Sequence, residues 1–188
     1  WINKQNQNFK CKLTNISDDT SLLALQGPNA EKILQKLVNF DLNELKSFSF
    51  LISNVSTIED VLVSRTGYTG SGGFELYIKN DKALELYNLL INDINVKPIG
   101  LAARDTLRLE MGYCLYGNDI NDNTSPIQAG LKWATKINKE FIGKKHILNH
   151  IQNGTDNKLI GFKLLERGIP RKDYNILDDN DNVIGIVS

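Results

Sequence analysis

The sequence predicts an α+β fold that consists of two parts, with a division near residue 153. Several short segments alternate apolar and polar residues, which is typical of strands, whereas others repeat apolar residues every three or four positions, as amphipathic helices do. After residue 153 only strand-like segments remain. We therefore predict one mixed domain over residues 1–153 and the beginning of a β domain over residues 154–188.

The first strand and helix are predicted from a change of period in residues 21–40. Leu22–Leu25 have the character of a buried strand, and Gly27-Pro28 end it. Proline suits the first position of a helix, so a helix is expected to follow. Its apolar stripe is predicted to consist of Ala30, Ile33, Leu34, Leu37 and Val38.

Two strands, a glycine loop, a third strand and a helix are predicted next. "SFSFLISNVS" and "EDVLVSR" are the two strands, with Phe48, Phe50 and Ile52 on one face. The loop "GYTGSGG" leads into the strand "FELYIKN". The helix is "DKALELYNLLI", and its cap is Asn80 or Asp81. Its inward-facing residues are predicted to be Ala83, Leu84, Tyr87, Leu90 and Ile91.

The remaining elements are two helices and a group of strands. A helix is predicted over Leu101–Met111, closed by Gly112, and a shorter one in "EFIGKKHILNHI". Beyond them "KLIGFKLL" and "YNILDDNDNVIGIV" predict strands, with Asp178–Asn182 as a hairpin turn. So few strands cannot bury a face alone, and residues 155–188 are therefore expected to open a larger β domain.

The charge balance and the cysteines restrict the possible partners and locations. The 22 basic and 22 acidic residues cancel, so neither nucleic acid nor a membrane surface is an expected partner. Cys11 and Cys114 are about a hundred residues apart and lack metal-ligand spacing, which favours a reduced, intracellular protein. The first residues lack the apolar run of a signal peptide or a membrane anchor.

The glycine loop and the residue Glu75 are the main candidate site. The glycine spacing matches neither a phosphate-binding loop nor the dinucleotide fingerprint. Glycines would let a flat ligand lie close to the main chain, flanked by Tyr68 and Glu75. A carboxylate can accept both hydrogen bonds from an amino group beside a ring N–H, as in a pterin or guanine. Alternatively, Glu75 is the polar member of an alternating strand and the glycines form a hairpin turn.

The other charged or titratable residues of interest could bind a ligand or could have a purely structural role. Arg104 and Arg108 share a helix face, and they could bind an anionic ligand or pair with Asp105, Glu110 and Asp119. His146 and His150 supply half of a metal site without a third ligand, so we expect a solvated face and no metal. Asp119 and Asp122 are interpreted as turn residues.

Three stretches together carry a family resemblance: "LLALQGPNAEKIL", "RTGYTGSGGFELYI" and "GLAARDTLRLEMGYCLYGNDINDNTSPIQAGLKW". In this order they resemble aminomethyltransferase, the T-protein of the glycine cleavage system, over roughly residues 20–188. The resemblance implies a folate-binding core followed by an antiparallel β-barrel domain, of which only the first strands are expected here. It also implies an enzyme that takes the aminomethyl group from the lipoyl arm of H-protein, releases ammonia and leaves 5,10-methylene-tetrahydrofolate.

The resemblance also implies roles for individual residues. Glu75 is expected to bind the pterin, Tyr68 to line the folate pocket and Arg104 to contact substrate, while Phe50 or Phe48 packs on the folate. The family's principal catalytic aspartate is expected before residue 1, so no catalytic residue is assigned. The chain alone is therefore expected to bind folate poorly and to turn over little. The implied location is cytoplasmic, or mitochondrial in a eukaryote.

Two alternatives remain at this stage. Folate-dependent demethylases and an iron–sulfur repair protein share the fold, and the repair branch carries a "KGCYxGQE"-like motif. Here the stretch reads "MGYCLYGNDI", with Cys114 displaced and Asn118-Asp119 in place of Gln-Glu, which favours the T-protein. The second alternative is a non-catalytic folate-binding fragment.

Overall fold

The computed structural model describes residues 1–188, apart from the side chain of Asn8. The chain forms two compact units, Trp1–Met111 and Gly112–Ser188. The predicted mixture of helices and antiparallel strands is confirmed. The domain boundary predicted near residue 153 falls inside the second unit and stays a prediction. Within the described part of the chain, every helix is too short or too polar to cross a bilayer.

Five helices and six strands make up the described structure. The helices are α1 (Ile2–Gln5), α2 (Ala30–Leu34), α3 (Asn80–Ile91), α4 (Leu101–Glu110) and α5 (Lys144–Asn153). The strands are β1 (Thr20–Gln26), β2 (Phe50–Val55), β3 (Ile58–Ser64), β4 (Gly73–Lys79), β5 (Asn175–Leu177) and β6 (Val183–Ile186). Short 3₁₀ turns lie at Asn6–Asn8, Ser17–Asp19, Leu42–Glu44 and Lys132–Ala134.

The first unit is built on an antiparallel sheet with the strand order β1-β4-β3-β2. One face of this sheet forms the core with α2 and α3. On that face Leu76 of β4 lies between Leu23 of β1 and Val63 of β3, and both Leu76 and Val63 are fully buried. Burying one such side chain contributes about 1.5–3 kcal/mol, so this face supplies much of the stability of the unit.

The opposite face of the sheet, called the open face here, carries the other half of each alternating strand. Its members include Leu22, Ala24, Gln26, Phe50, Ile52, Leu62, Ser64, Glu75 and Tyr77. Phe50 and Ile52 share this face as predicted, and about 60% of each side chain is exposed. Phe48 does not belong to it, because Phe48 precedes β2 and has a φ of 61°. The prediction of a buried strand at Leu22–Leu25 is half right, since Leu25 is buried and Leu23 packs against the core, whereas Leu22 and Ala24 face outward and are exposed.

The helices lie near their predicted positions, but α2 ends at Leu34 instead of continuing to Val38, and the cap of α3 is Lys79 instead of Asn80 or Asp81. Their buried faces also differ in part from the prediction. In α2, Ala30, Ile33 and Leu34 are buried as expected. In α3 the buried residues are Leu86 and Leu90, whereas Leu84 is 69% exposed. The predicted inward orientation of Leu84 and Tyr87 is therefore wrong. The stripe at positions 83, 86 and 90 has helical spacing too, and it is the one that packs on the sheet.

Arg65, which follows β3, contacts both α2 and the segment 42–45. Its guanidinium donates to the carbonyl oxygens of Leu42 and Leu45, at 2.7 and 3.3 Å, and pairs with Glu31 of α2. It also lies over the Phe74 ring, 5.5 Å from the ring centroid. These contacts fix the point where the chain leaves β3. The segment that connects β3 to β4, residues 65–72, contains Gly67, Gly70 and Gly72 and is the glycine loop of the structure.

The second unit contains α5 and the hairpin β5–β6. The predicted turn is confirmed: the Asp178 carboxylate accepts hydrogen bonds from the backbone N–H groups of Asn180 and Asn182. Residues 158–165, all of which are described, form no strand, so that prediction is wrong. Phe162 and Leu165 in this segment are exposed, because no neighbouring strand pairs with the segment and covers it. In the first unit, helix α4 ends as predicted, and Gly112 follows it with a φ of 69°.

Candidate functional site

Glu75 lies in the middle of β4 on the open face. The strand register places it between Ala24 of β1 and Ser64 of β3. Its neighbours Phe74 and Leu76 are buried on the core face, so alternation turns the carboxylate outward. Glu75 is half-buried. The carboxylate is therefore accessible from the open face, while the surrounding sheet shields it from part of the solvent.

One oxygen of the Glu75 carboxylate has a fixed partner. The hydroxyl of Thr66, in the glycine loop, donates to Oε2 of Glu75 at 2.5 Å. The same Thr66 oxygen lies 2.9 Å from the hydroxyl oxygen of the buried Ser64. Sequence reasoning did not find Thr66 or Ser64, because their proximity to Glu75 depends on the strand register.

Phe50 shares a row of the open face with Glu75. Phe50 is opposite Ser64, and Ser64 is opposite Glu75, so one strand separates Phe50 from Glu75. With strands about 4.8 Å apart, their backbones are about 10 Å apart. Phe48 is 86% exposed and lies outside the strand. Phe48 and Phe50 were the two alternatives for an aromatic residue that packs on the folate, and only Phe50 lies in the row of Glu75.

Tyr77 is a further aromatic residue of the open face that the sequence analysis did not single out. It lies two residues after Glu75 and opposite Leu22 and Leu62. Burial, and to a smaller extent the negative charge of Glu75, raise the pKa of the Tyr77 hydroxyl. Strand alternation alone places Tyr77 on the face of Glu75, so the sequence did contain the signal for it.

Tyr68 and Arg104, the other two predicted site residues, contact each other. The Arg104 guanidinium carbon lies 5.2 Å from the centroid of the Tyr68 ring, which is a cation–π arrangement. Arg108, four residues further along α4, is instead buried, and its Nε lies 2.8 Å from Oδ1 of Asp105. Arg108 therefore forms the ion pair that was one of the two interpretations, whereas Arg104 is exposed to solvent and packs over the Tyr68 ring.

Most of the glycines do not leave the main chain open to a flat ligand, as the sequence analysis expected them to. A Cβ atom at Gly67 would lie 1.9 Å from Oε1 of Gln26, and one at Gly73 would lie 2.7 Å from the Gln26 side chain. At Gly70 it would meet the side chain of Met111 at 2.3 Å. The space beside these three glycines is thus filled by the protein's own side chains. Only at Gly72, within the loop and its border with β4, does a Cβ atom meet open space.

The second unit carries the histidines and two surface cavities. The rings of His146 and His150 are 4.1 Å apart, and Nδ1 of His150 lies 2.8 Å from the hydroxyl oxygen of Ser125. His146 is exposed, as expected of a solvated face, but His150 is half-buried against Ser125. Among the described residues, no three His, Cys, Asp or Glu side chains are grouped to hold a metal ion. The cavities, of about 570 and 340 Å³, are lined by residues 122–152, and the predicted ligand-binding residues line neither of them.

A family model described as the GCVT N-terminal domain matches residues 1–139. The chain belongs to the GCVT family. The match includes the four strands β1 to β4, the glycine loop and α4, which together carry every residue discussed around Glu75.

The relatives of this GCVT chain described next are all named aminomethyltransferase. It is 50% identical to an aminomethyltransferase of Flavobacterium psychrophilum and 50% identical to one of Halothermothrix orenii, in each case over the whole chain and 53% of the relative. The crystal structure of glycine cleavage system aminomethyltransferase T from Bartonella henselae superposes with a TM-score of 0.87 at 36% identity. That match covers 98% of this chain and 50% of the other. The GCVT chain thus spans about half the length of the relatives that it matches.

Proposed function

We propose that this chain is part of a tetrahydrofolate-dependent aminomethyltransferase of the glycine cleavage system. The reaction moves the one-carbon unit from aminomethyl-lipoyl H-protein to tetrahydrofolate and releases ammonia. The names of the relatives and the family match support this proposal. Because the chain spans about half of those relatives, the activity, tetrahydrofolate and the lipoylated H-protein are proposed for the whole protein. The cytoplasmic location expected from the sequence belongs to the same proposal.

The observation that carries the proposal is the environment of Glu75. Its carboxylate is half-buried, faces outward from a rigid sheet and has one oxygen held by the Thr66 hydroxyl. A carboxylate has about four acceptor positions, so acceptor positions remain for a ligand. The amino group and the adjacent ring N–H of a pterin lie in one plane, and a carboxylate can accept from both.

The residues around Glu75 fit a pterin on the open face rather than over the glycine loop. Phe50 and Tyr77 offer apolar ring surface on the same face, which suits a flat fused ring. The space beside Gly67 and Gly73 is occupied by Gln26, so it cannot hold the ring. We therefore propose that the pterin lies across β3 and β4.

Tyr68 and Arg104 have supporting roles in this proposal. The Tyr68 ring holds the Arg104 guanidinium in place, so that Arg104 can contact substrate while Tyr68 lines the pocket. When bound, tetrahydrofolate supplies the nitrogen atoms that accept the one-carbon unit. The described residues of this chain bind and orient it, and no acid or base for the transfer is assigned among them.

The proposal is tested by titrating the 188-residue chain with tetrahydrofolate under reducing conditions, to millimolar concentration, by isothermal calorimetry. We expect weak, saturable binding. Glu75→Gln removes the charge and replaces an acceptor oxygen by a donor, so binding should weaken about 10- to 100-fold, as loss of a charged hydrogen bond implies. The matched control is Glu59→Gln, because Glu59 is an exposed glutamate of the neighbouring strand β3.

Glu59→Gln is expected to bind as the unchanged chain does. Circular dichroism confirms that each variant is folded before titration. Equal affinities for Glu75→Gln and the unchanged chain, or the absence of binding by the folded unchanged chain, contradict the proposed role of Glu75.

A further inference from the structure

We infer that Thr66 is a positioning residue that orients the Glu75 carboxylate toward its ligand, and that Gln26 holds Thr66 in place. The inference rests on the proposed function, since it requires that Glu75 binds a ligand. It concerns residues on three different segments, β1, the glycine loop and β4, which the fold brings together.

The first link is a short chain of hydroxyl groups. Thr66 has one hydroxyl proton, and the 2.5 Å contact to Oε2 of Glu75 uses it. The 2.9 Å contact between the Thr66 and Ser64 hydroxyl oxygens must then use the proton of Ser64. Ser64 is buried and lies opposite Glu75 in the strand register. The order of donation is therefore Ser64 to Thr66 to Glu75.

This chain of hydroxyls limits the rotation of the carboxylate. The terminal torsion of a glutamate side chain has broad minima, so an exposed carboxylate does not keep one plane by itself. A ligand that offers two coplanar donors needs the carboxylate plane to match its own. The hydrogen bond from Thr66 fixes one oxygen of Glu75, and with it the direction in which the other oxygen is presented.

The second link is the amide of Gln26. Its Nε2 donates to the carbonyl oxygens of Thr66 and Phe74, each at 3.1 Å, so both amide protons are used. Phe74 directly precedes Glu75. The Gln26 side chain therefore links the backbone of Thr66 to the backbone of the residue before Glu75.

Two glycines are required by this arrangement. The Cβ atom of any other residue at position 67 would overlap the Gln26 amide. At position 73 it would also lie 2.6 Å from the backbone carbonyl oxygen of Leu25, which cannot move aside as a side chain can. Gly67 and Gly73 thus leave room for the Gln26 side chain. The two glycines are therefore needed for the hydrogen bonds by which Gln26 holds the backbone of Thr66 and Phe74.

The test compares Thr66→Val, which keeps the shape but removes the hydroxyl, with Thr66→Ser, which keeps the hydroxyl. Dissociation constants are measured for tetrahydrofolate and for its 2-deamino analogue, which lacks the amino group that Glu75 is proposed to accept from. We expect Thr66→Val to weaken tetrahydrofolate binding about tenfold and to reduce the preference over the analogue by a similar factor. Thr66→Ser is expected to stay within about twofold of the unchanged chain.

The preference for tetrahydrofolate over the analogue separates positioning from general damage, because a merely loosened fold weakens both ligands equally. Thr57→Val, in the turn between β2 and β3, is the matched control and should bind both ligands normally. If Thr66→Val does not fold, Ser64→Ala provides the second measurement, with an expected two- to threefold loss of preference.

The outcomes distinguish the inference from the proposed function. If Glu75→Gln weakens binding while folded Thr66→Val keeps both the affinity and the preference, the positioning role is wrong and the proposed function stands. If Glu75→Gln has no effect, the proposed function fails and the inference fails with it. A loss of preference in Thr66→Val that Thr66→Ser restores supports the inference.

Discussion

The two units of the chain differ sharply in how they bury apolar side chains. Among the described side chains, Trp1–Met111 contains one cluster of sixteen buried hydrophobic residues, whereas in Gly112–Ser188 only Ala129 and Ile147 are buried to that degree. The first unit owes this to a four-stranded sheet whose core face is covered by helices. The second has a two-stranded sheet, which cannot bury a face by itself. Stability in this chain is therefore concentrated in the unit that carries Glu75.

The largest expected difference between the units concerns hydrogen exchange. The amides of Val61 and Val63 lie in β3, between β2 and β4, so their exchange requires opening of the sheet. The amides of residues 158–165 lie in an exposed segment without strand pairing. Exchange measured by NMR should be slower in β3 by at least about a thousandfold. Equal protection in both segments would break the comparison.

A matched pair of leucine substitutions tests the difference in packing. Leu76 is fully buried on β4, whereas Leu165 is fully exposed. Leu76→Ala should lower the free energy of unfolding by about 2–5 kcal/mol, through lost burial and the cavity that remains. Leu165→Ala should change it by less than about 0.5 kcal/mol. Urea denaturation followed by circular dichroism measures both, and a comparable cost for Leu165→Ala would show that the second unit has a core of its own.

The smallest expected effect is a dependence of stability on pH. A hydrogen bond from Lys36, 2.6 Å away, and others from Asn95 lower the pKa of Asp93 from its ordinary 3.8 to about 2. As the pH falls, the unfolded chain binds this proton before the folded chain does. The contribution of Asp93 to stability is thus complete above about pH 4 and is lost as the pH falls to about 2.

Asp93→Asn should therefore be less stable than the unchanged chain at neutral pH, and the difference should shrink between about pH 4 and pH 2. The comparison with the second unit uses Asp178, whose pKa is lowered by hydrogen bonds from Asn182 and Asn180. Asp178→Asn should leave the unfolding transition of the sheet unit unchanged across this range. Denaturation curves at several pH values measure both variants, and a constant difference for Asp93→Asn is the result that contradicts the prediction.

Much of the first unit could be predicted from the sequence because its signals are local. The period change around Pro28, the alternation before Glu75 and Gly112 at the end of α4 each determine an element through its own residues. The hairpin turn at Asp178–Asn182 is local in the same sense. The α3 face was not predictable in this way, because two overlapping stripes have helical spacing and only packing on the sheet selects one.

In the candidate site, too, the residues with local sequence signals were predicted and those that depend on strand pairing were not. Glu75 was found from its strand and the glycines before it, but Gln26 and Thr66 are forty residues apart and meet only through the pairing of β1 with β4. The expectation that the glycines leave the main chain open to a flat ligand was wrong, since Gln26, which fills the space beside Gly67 and Gly73, is distant from them in sequence. The strand predicted at residues 158–165 failed because alternation indicates a strand only where a partner exists to pair with it.

The apolar side chains of the open face have a practical consequence for handling the protein. Fluorescent dyes such as ANS bind exposed apolar surface, and such binding is often taken as the mark of a molten globule. Leu22, Phe50 and Ile52 present such surface in the native fold. A bright dye signal from this chain is therefore expected of correctly folded material, and near-ultraviolet circular dichroism is the assay that distinguishes it from a collapsed state.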